Sequence, residues 1–221
     1  MTVNDSYELI QYICDKNQQG YISPDQFNLT INQAQDSYQA YLLGNFQQYS
    51  PGRPIARVEL GQNQVVRQRL TPTIYNYNLR VDSSGFSPYP GDYLQADAMW
   101  TYYNTNRIRY VQQDALYSFA NSVIDPVATN PIYLIEDLGF RFYPASINSA
   151  KLSYVRNAPD IVWGYDLVND VPIYNETKSI QPVWDDASML DIIFRALKII
   201  GVNLQLAAVI QYSNDIKNNG Q

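Results

Sequence analysis

An α+β fold, with a helical body and an inserted antiparallel β domain, is predicted by three observations on this sequence. Apolar residues recur at helical spacing over the first 70 positions and again after residue 185. Between about residue 74 and residue 156 the apolar period shortens to two, as on half-buried strands. Breaker clusters, Ser50-Pro51-Gly52-Arg53-Pro54 and Pro88-Tyr89-Pro90-Gly91 among them, fall between the periodic runs. The pattern divides the chain into an N-terminal helical region (1–72), a β-rich domain (73–180) and a closing helix (181–221) that completes the helical body. With 221 residues, 46% of them hydrophobic, the chain is long enough to bury a sizeable core.

The elements follow in order. Asp5, with Glu8 three residues on, resembles a capped helix start; Leu9, Ile10 and Ile13 give that helix an apolar face, and Gly20 follows its end. Ser23 as cap, Pro24 in the first helical position and Gln26 three after the cap form a variant capping box for a second helix. Phe27, Ile31, Ala34, Tyr38 and Tyr41 then recur at helical spacing to about Gly44. A third helix is predicted over 55–70, weakened by Gly61 and stopped by Thr71-Pro72.

Tyr75, Tyr77, Leu79 and Val81 alternate with Asn76, Asn78 and Arg80 as a strand, and Leu94, Ala96, Ala98, Trp100 and Tyr102 predict another. Shorter strands are predicted over 108–111, 133–135, 140–143 and 151–156, with turns at Asn130-Pro131, Gly139 and Pro159. Asp185 or Asp186 starts the closing helix, whose predicted core face runs through Leu190, Ile193, Phe194, Leu197, Leu204 and Ala208, with Gly201 as its weak point. A second apolar line, Ile192, Ile199 and Leu206, lies off that face. Two readings of it stay open: a wide core stripe, or a surface that packs on a neighbouring chain. On the second reading these three residues are candidate interface positions.

Composition narrows the function classes. A net charge of −6 with only 15 Lys and Arg argues against a sequence-independent grip on nucleic acid. Positions 1–13 lack the basic start and apolar run of a secretory leader. The apolar window 189–210 is interrupted by Asp191, Arg195 and Lys198, which predicts a helix outside the membrane. Cys14 is the single cysteine, so no internal disulfide forms and cysteine-rich zinc sites are excluded. No histidine is present, which removes the usual triads and most catalytic zinc or iron ligand sets. Meanwhile 20 Tyr and 3 Trp supply stiff amphipathic surface of the kind enriched at protein interfaces.

Local motifs have plain structural readings. Residues 15–26 mimic a calcium loop, with Asp15, Asn17 and Gly20 at positions one, three and six; Gln19 and Gln26 replace the carboxylates at positions five and twelve. Asp185-Asp186, with Glu176 and Asp170 upstream, is the candidate for carboxylate catalysis, but adjacent residues point apart and helix capping accounts for them. Trp100, Trp163 and Trp184 could stack sugars or bases and are expected in the core. The sequons at Asn28 and Asn175 carry little weight. No catalytic, cofactor or metal residues are therefore assigned, and no cofactor is expected.

Three passages carry a resemblance. Tyr7 to Ile13, Lys16-Asn17-Gln18, Gln19-Gly20-Tyr21, Pro24 to Asn28 and Pro51-Gly52-Arg53-Pro54 resemble virion structural proteins of phages infecting Bacteroidetes, including the crAss-like group. Asn130 to Tyr133, Phe140 to Pro144 and Lys151 to Arg156 resemble the strand block of phage tail-connector proteins, and Ile192 to Leu204 with Gln211-Tyr212 is similar to their closing helix. The resemblance implies a head-to-tail connector ring, a dodecamer of this chain next to portal or neighbouring tail ring proteins. DNA would pass through its channel without sequence-specific binding, and the protein would reside in the virion. Two other classes are kept beside it: a carbohydrate- or cell-surface-binding module of a phage tail, and a carboxylate-dependent hydrolase resting on Asp185, Asp186 and Glu176. Calcium at millimolar concentration is expected to leave the melting temperature unchanged to within about 1 °C, because the anchoring carboxylates are missing. A larger rise, abolished by Asp15→Ala, would contradict this.

Overall fold

The computed structural model describes residues 1–16, 20–44, 64–102, 106–113, 116 and 126–201. The fold is α+β. Its named helices are α1 (Val3–Lys16), α2 (Pro24–Leu43), α3 (Gln64–Leu70) and α4 (Asp186–Ile200). Its strands are β1 (Ile74–Arg80), β2 (Phe86–Pro88), β3 (Tyr93–Thr101), β4 (Arg109–Tyr110), β5 (Ile132–Ile135), β6 (Gly139–Tyr143), β7 (Ser149–Arg156), β8 (Tyr165–Val168) and β9 (Val171–Tyr174). Of the third helix expected over 55–70, the stretch 55–63 lies outside the described residues. The chain forms two compact units, Met1–Val58 with Ala158–Gln221, and Glu59–Asn157. These seams differ from the 72/73 and 180/181 boundaries that periodicity suggests. Helix α3 goes with the strands because Arg67 makes a two-bond ion pair to Asp97 of β3, at 3.1 and 2.8 Å. The β8–β9 hairpin goes with the helices because the chain leading into it is held by α2.

In the helical unit, α1 starts one turn earlier than its acidic pair suggests. Thr2 and Asp5 cap it reciprocally: the Asp5 N–H donates to Thr2 Oγ1 (3.1 Å) and the Thr2 N–H to Asp5 Oδ2 (2.9 Å). Helix α2 begins with the capping box expected of Ser23, Pro24 and Gln26. Its inner face buries Phe27, Ile31, Ala34, Tyr38 and Leu42, while Tyr41 stays 60% exposed. Four amide side chains on the same helix, Asn28, Asn32, Gln35 and Gln39, take hold of the extended segment 158–163. Trp163 N–H donates to Asn28 Oδ1 (2.8 Å), and Asn28 Nδ2 donates to Trp163 O (3.3 Å). Ile161 is read the same way by Asn32, at 2.8 and 2.9 Å. Gln35 donates to Pro159 O (3.1 Å) and accepts from the Trp184 indole (3.0 Å), and Gln39 accepts from Ala158 N–H (3.2 Å).

The other edge of that segment is also satisfied. Val162 exchanges both backbone hydrogen bonds with Ile180 (3.1 and 2.8 Å), and Gly164 accepts from Asn175 N–H (2.8 Å). Trp163 then packs under α1, stacked on Tyr7 at 4.3 Å with its indole N–H donating to Asn4 Oδ1 (3.0 Å). Gly164 permits the close approach here, since a Cβ would collide with the Lys178 carbonyl. Trp163 and Trp184 are thus core residues, 4% and 5% exposed.

The second unit is built on two sheets, ordered β1-β7-β3 and β2-β6-β5-β4. All pairings are antiparallel except the two-residue β4–β5 contact. Leu79, Met99, Ala150, Leu152 and Tyr154 from the first sheet form one core with Tyr133, Phe140 and Phe142 from the second. Burial pushes the Tyr133 hydroxyl pKa up to about 12.

Two expected core faces are corrected. On β3 the inward residues are Met99 and Thr101, with Ala96 and Tyr93 partly buried, whereas Leu94 and Tyr102 face solvent. Register shifts between Tyr93 and Gln95 and between Ala96 and Ala98 reverse the parity of the alternation partway along the strand. On β1 only Leu79 is fully inside; Tyr75 and Tyr77, opposite Tyr154 and Leu152, remain half-exposed on the same face of this edge strand.

Asn32→Ala would leave the Ile161 N–H and C=O without partners in a part-buried site. Urea denaturation should show a loss of about 2–3 kcal/mol, whereas Gln33→Ala, at the exposed neighbouring position, should stay within about 0.5 kcal/mol. Equal effects at the two positions would contradict the role of the amides.

Candidate functional site

Helix α4 decides which sequence-predicted interface residues are accessible. Asp185 caps it, accepting from Ser188 N–H at 3.2 Å, and Gly201 ends it in the left-handed conformation with φ 84°. Its buried stripe is Met189, Ile192, Ile193, Ala196 and Leu197. Ser188, fully buried, accepts the Tyr38 hydroxyl at 2.9 Å and fixes the rotation of α4 against α2.

The predicted faces are consequently rearranged. Ile192, placed on the outer line by its spacing, is 0% exposed and lies in the chain's own core. Leu190 and Phe194, placed in the core, are 38% and 52% exposed, and Ile199 is 48% exposed on the opposite flank. Leu206, like Leu204 and Ala208, lies outside the described residues, as do Asn17 and Gln19 of the calcium-loop mimic. The reason for the rearrangement is that α4 is apolar around most of its circumference, so periodicity gives its amphipathicity without its phase. Arg195 donates to Ser37 Oγ (3.1 Å) and lies over the Tyr41 ring at 4.9 Å, covering α2 beside this apolar flank.

The β8–β9 hairpin adds a second apolar surface that spacing did not suggest. It turns through Asn169 and Asp170, both at positive φ (51° and 62°), the signature of a tight two-residue hairpin. Leu167, Val168, Val171 and Ile173 are all at least half-exposed or close to it, at 66, 49, 58 and 50%. Asn-Asp with flanking valines was the available signal, and four-residue strands are too short for periodicity to flag.

The acidic candidates do not converge on a reaction centre. Asp185 is engaged as a helix cap, Asp186 lies exposed in the first turn, Glu176 is exposed in a 3-10 turn and Asp170 is at the hairpin tip. One carboxylate elsewhere is perturbed: partial burial first, and then the Asp160 charge, hold the Asp36 pKa above its ordinary value. A groove of about 380 Å³ lies between Asp82, Ser84, Phe86, Glu136, Asp137, Leu138 and Arg141. Its one guanidinium is already committed, making two bonds to Glu136 (3.0 and 3.1 Å), one to Ser84 O (3.2 Å), and lying over Phe86. Asp82 accepts from Ser84 and Phe86, and these hydrogen bonds hold its pKa low. Arg141, Glu136 and Asp82 therefore brace the turns that form the groove. Among the described residues, no three His, Cys, Asp or Glu side chains are grouped so as to hold a metal ion, and no helix is long and apolar enough to cross a membrane.

No protein-family model matches this sequence, and no curated protein does.

Because the folded pKa of Asp36 lies above its unfolded value, its ionisation disfavours the fold. The penalty is absent below the unfolded pKa and complete above the folded one. Asp36→Asn should raise the melting temperature at pH 7 by a small amount, on the order of 1 °C for a solvent-screened pair. Thermal melts at pH 3 should show no gain; a gain there, or a loss at pH 7, would contradict the repulsion.

Proposed function

We propose that this chain is a non-enzymatic structural subunit that works by packing against other protein chains, and specifically a subunit of a head-to-tail connector ring in a tailed-phage virion. The observation that carries the first part is the apolar surface of the helical unit. Leu190 and Phe194, one turn apart on α4, and Ile199 on its other flank stand in solvent beside a core that is already filled. A lone exposed leucine means little, whereas apolar residues on both flanks of one helix mark a surface that another protein covers. The second part rests on the resemblance of the opening, the strand block and the closing helix to phage connector proteins. A net charge of −6 suits a channel that DNA traverses without sticking.

A ring of more than two copies requires each subunit to offer two different faces. Light scattering and negative-stain images of the purified chain, alone and with the portal-side ring, should reveal closed rings. Phe194→Asp and Ile199→Asp should remain folded by circular dichroism and fail to enter particles. Ile193→Asp, at 1% exposure, should unfold the chain, since a charge buried without a partner costs several kcal/mol, about the whole stability. If Phe194→Asp and Ile199→Asp enter particles normally, α4 does not form the contact. A chain that stays monomeric under every condition, or that binds glycans in a screen, would overturn the ring reading.

A further inference from the structure

We propose that the outer edge of β1 accepts strand β8 of a second copy, joining subunits head to tail through a continuous sheet. This rests on the reading of the chain as a self-assembling subunit and specifies where one copy meets the next.

The acceptor is the long open edge of the strand unit. Among the described residues, strand β1 pairs with β7 alone. The far edge of that sheet is closed, because β3 carries two register shifts and residues 106–108 bond along it, Ile108 N–H to Met99 O (2.8 Å) and Thr101 N–H to Asn106 O (2.9 Å). Edges of the other sheet are short, three residues ending in Pro88 and two residues in β4. Natural edge strands are blunted by prolines, bulges, inward charges or brevity. Strand β1, whose seven residues are Ile-Tyr-Asn-Tyr-Asn-Leu-Arg, has no proline and no bulge, and its one charge, Arg80, stands at its end.

The outward backbone groups can be named. Val81 N–H bonds to Asn148 O at 3.0 Å, so by antiparallel alternation Leu79, Tyr77 and Tyr75 face β7 while Asn78 and Asn76 point outward. Beside them, Tyr75 and Tyr77 form a half-exposed shelf on the core face of the sheet. One added strand would cover that shelf and satisfy the edge together.

Strand β8 supplies what the edge lacks. In a two-residue hairpin the residues flanking the turn bond to each other, so Val168 and Val171 pair inward while Leu167 and Pro172 point their backbone outward on opposite edges. Pro172 has no N–H and blunts the β9 edge; Leu167 leaves the β8 edge able to donate and accept. The hairpin also brings exposed Val168, Val171 and Ile173 to the tyrosine shelf. Charge fits as well: β1 and β7 carry Arg80, Lys151 and Arg156 and no acid, whereas residues 165–174 carry no base and two acids, Asp170 and the Asp166 that also pairs with Lys178. Since acceptor and donor are different surfaces, the contact is heterologous and propagates until it closes.

The test uses the full chain with Asn78→Pro, which removes an outward N–H at the acceptor, and Leu167→Pro, which removes one at the donor. Alanine at each position is the control. Native mass spectrometry of either proline variant alone should give monomers, and a one-to-one mixture should give dimers of twice the chain mass, since one intact contact remains. The alanine variants should assemble as the unaltered chain does. In assembled unaltered chain, hydrogen exchange at Asn76 and Asn78 should be slow, a readout that needs no variant. If the unaltered chain assembles but exchange at these amides stays fast, or the proline variants assemble alone, the β1–β8 contact is wrong and the ring reading stands. If the unaltered chain stays monomeric throughout, both fall. A mixture that assembles only after an unlike chain is added assigns the edge to that chain and overturns the proposal.

Discussion

The helical unit depends on one matching of lengths. From Asn28 to Gln39 a helix rises roughly 16 Å at 1.5 Å per residue, and six residues of extended chain from Ala158 to Trp163 cover about the same distance at 3.3 Å per residue. Helix turns of three or four residues therefore meet every second residue of a strand at Trp163, Ile161 and Pro159, and Gln39 ends the column of Asn and Gln on the adjacent Ala158 N–H. The amides replace a neighbouring strand. Asn28 and Asn32 use both donor and acceptor, as a peptide group does, and leave Val162 and Gly164 free to pair with Ile180 and Asn175. No apolar face could hold an extended segment whose backbone still required partners.

Several features follow from that column. Fixing Trp163 places its indole where Tyr7 stacks and Asn4 accepts, so α1 is located by the same strand that α2 holds. Gln35 extends the column to Trp184, which stands just before the Asp185 cap of α4. Tyr38, next to Gln39 on α2, sets the rotation of α4 through Ser188 and meets Trp184 edge-on at 5.4 Å. The apolar residues that remain outside on α4 are outside because this polar pairing chose the phase. A burial-maximising rotation alone would have had little reason to prefer Ile192 to Phe194 for the interior.

Much of the local structure was legible in the residues. Ser23, Pro24 and Gln26 specify a helix start through steric and hydrogen-bonding terms that act over three residues, and Asp185 does the same for α4. The strand block was legible because its alternation is long. What escaped was each decision that depends on a distant partner. Bulges in β3 arise from pairing with β7 and invert which residues are inside, which no count along β3 alone reveals. The amide column was hidden for the same reason: Asn and Gln at helical spacing look like a solvated face until the strand they bind is known. The start of α1 was displaced because Thr2 and Asp5 form a box as sound as the acidic pair that drew attention.

The candidate surface was only half legible. Aromatic and apolar excess pointed to contact with other chains, yet it could not choose among Ile192, Ile199, Phe194 and the hairpin, because exposure is settled by the phase of one helix and by pairing across one turn. The same physics distinguishes the two kinds of exposed surface now visible. On α4, Leu190, Phe194 and Ile199 offer side chains alone, so a partner gains by desolvation and needs only a complementary shape. On β1 and β8, each paired on one side alone among the described residues, a partner must also present an extended strand in register. Surfaces of the first kind tolerate many neighbours; surfaces of the second select one geometry. A chain carrying both offers one surface that adapts to different neighbours and one that accepts a single register.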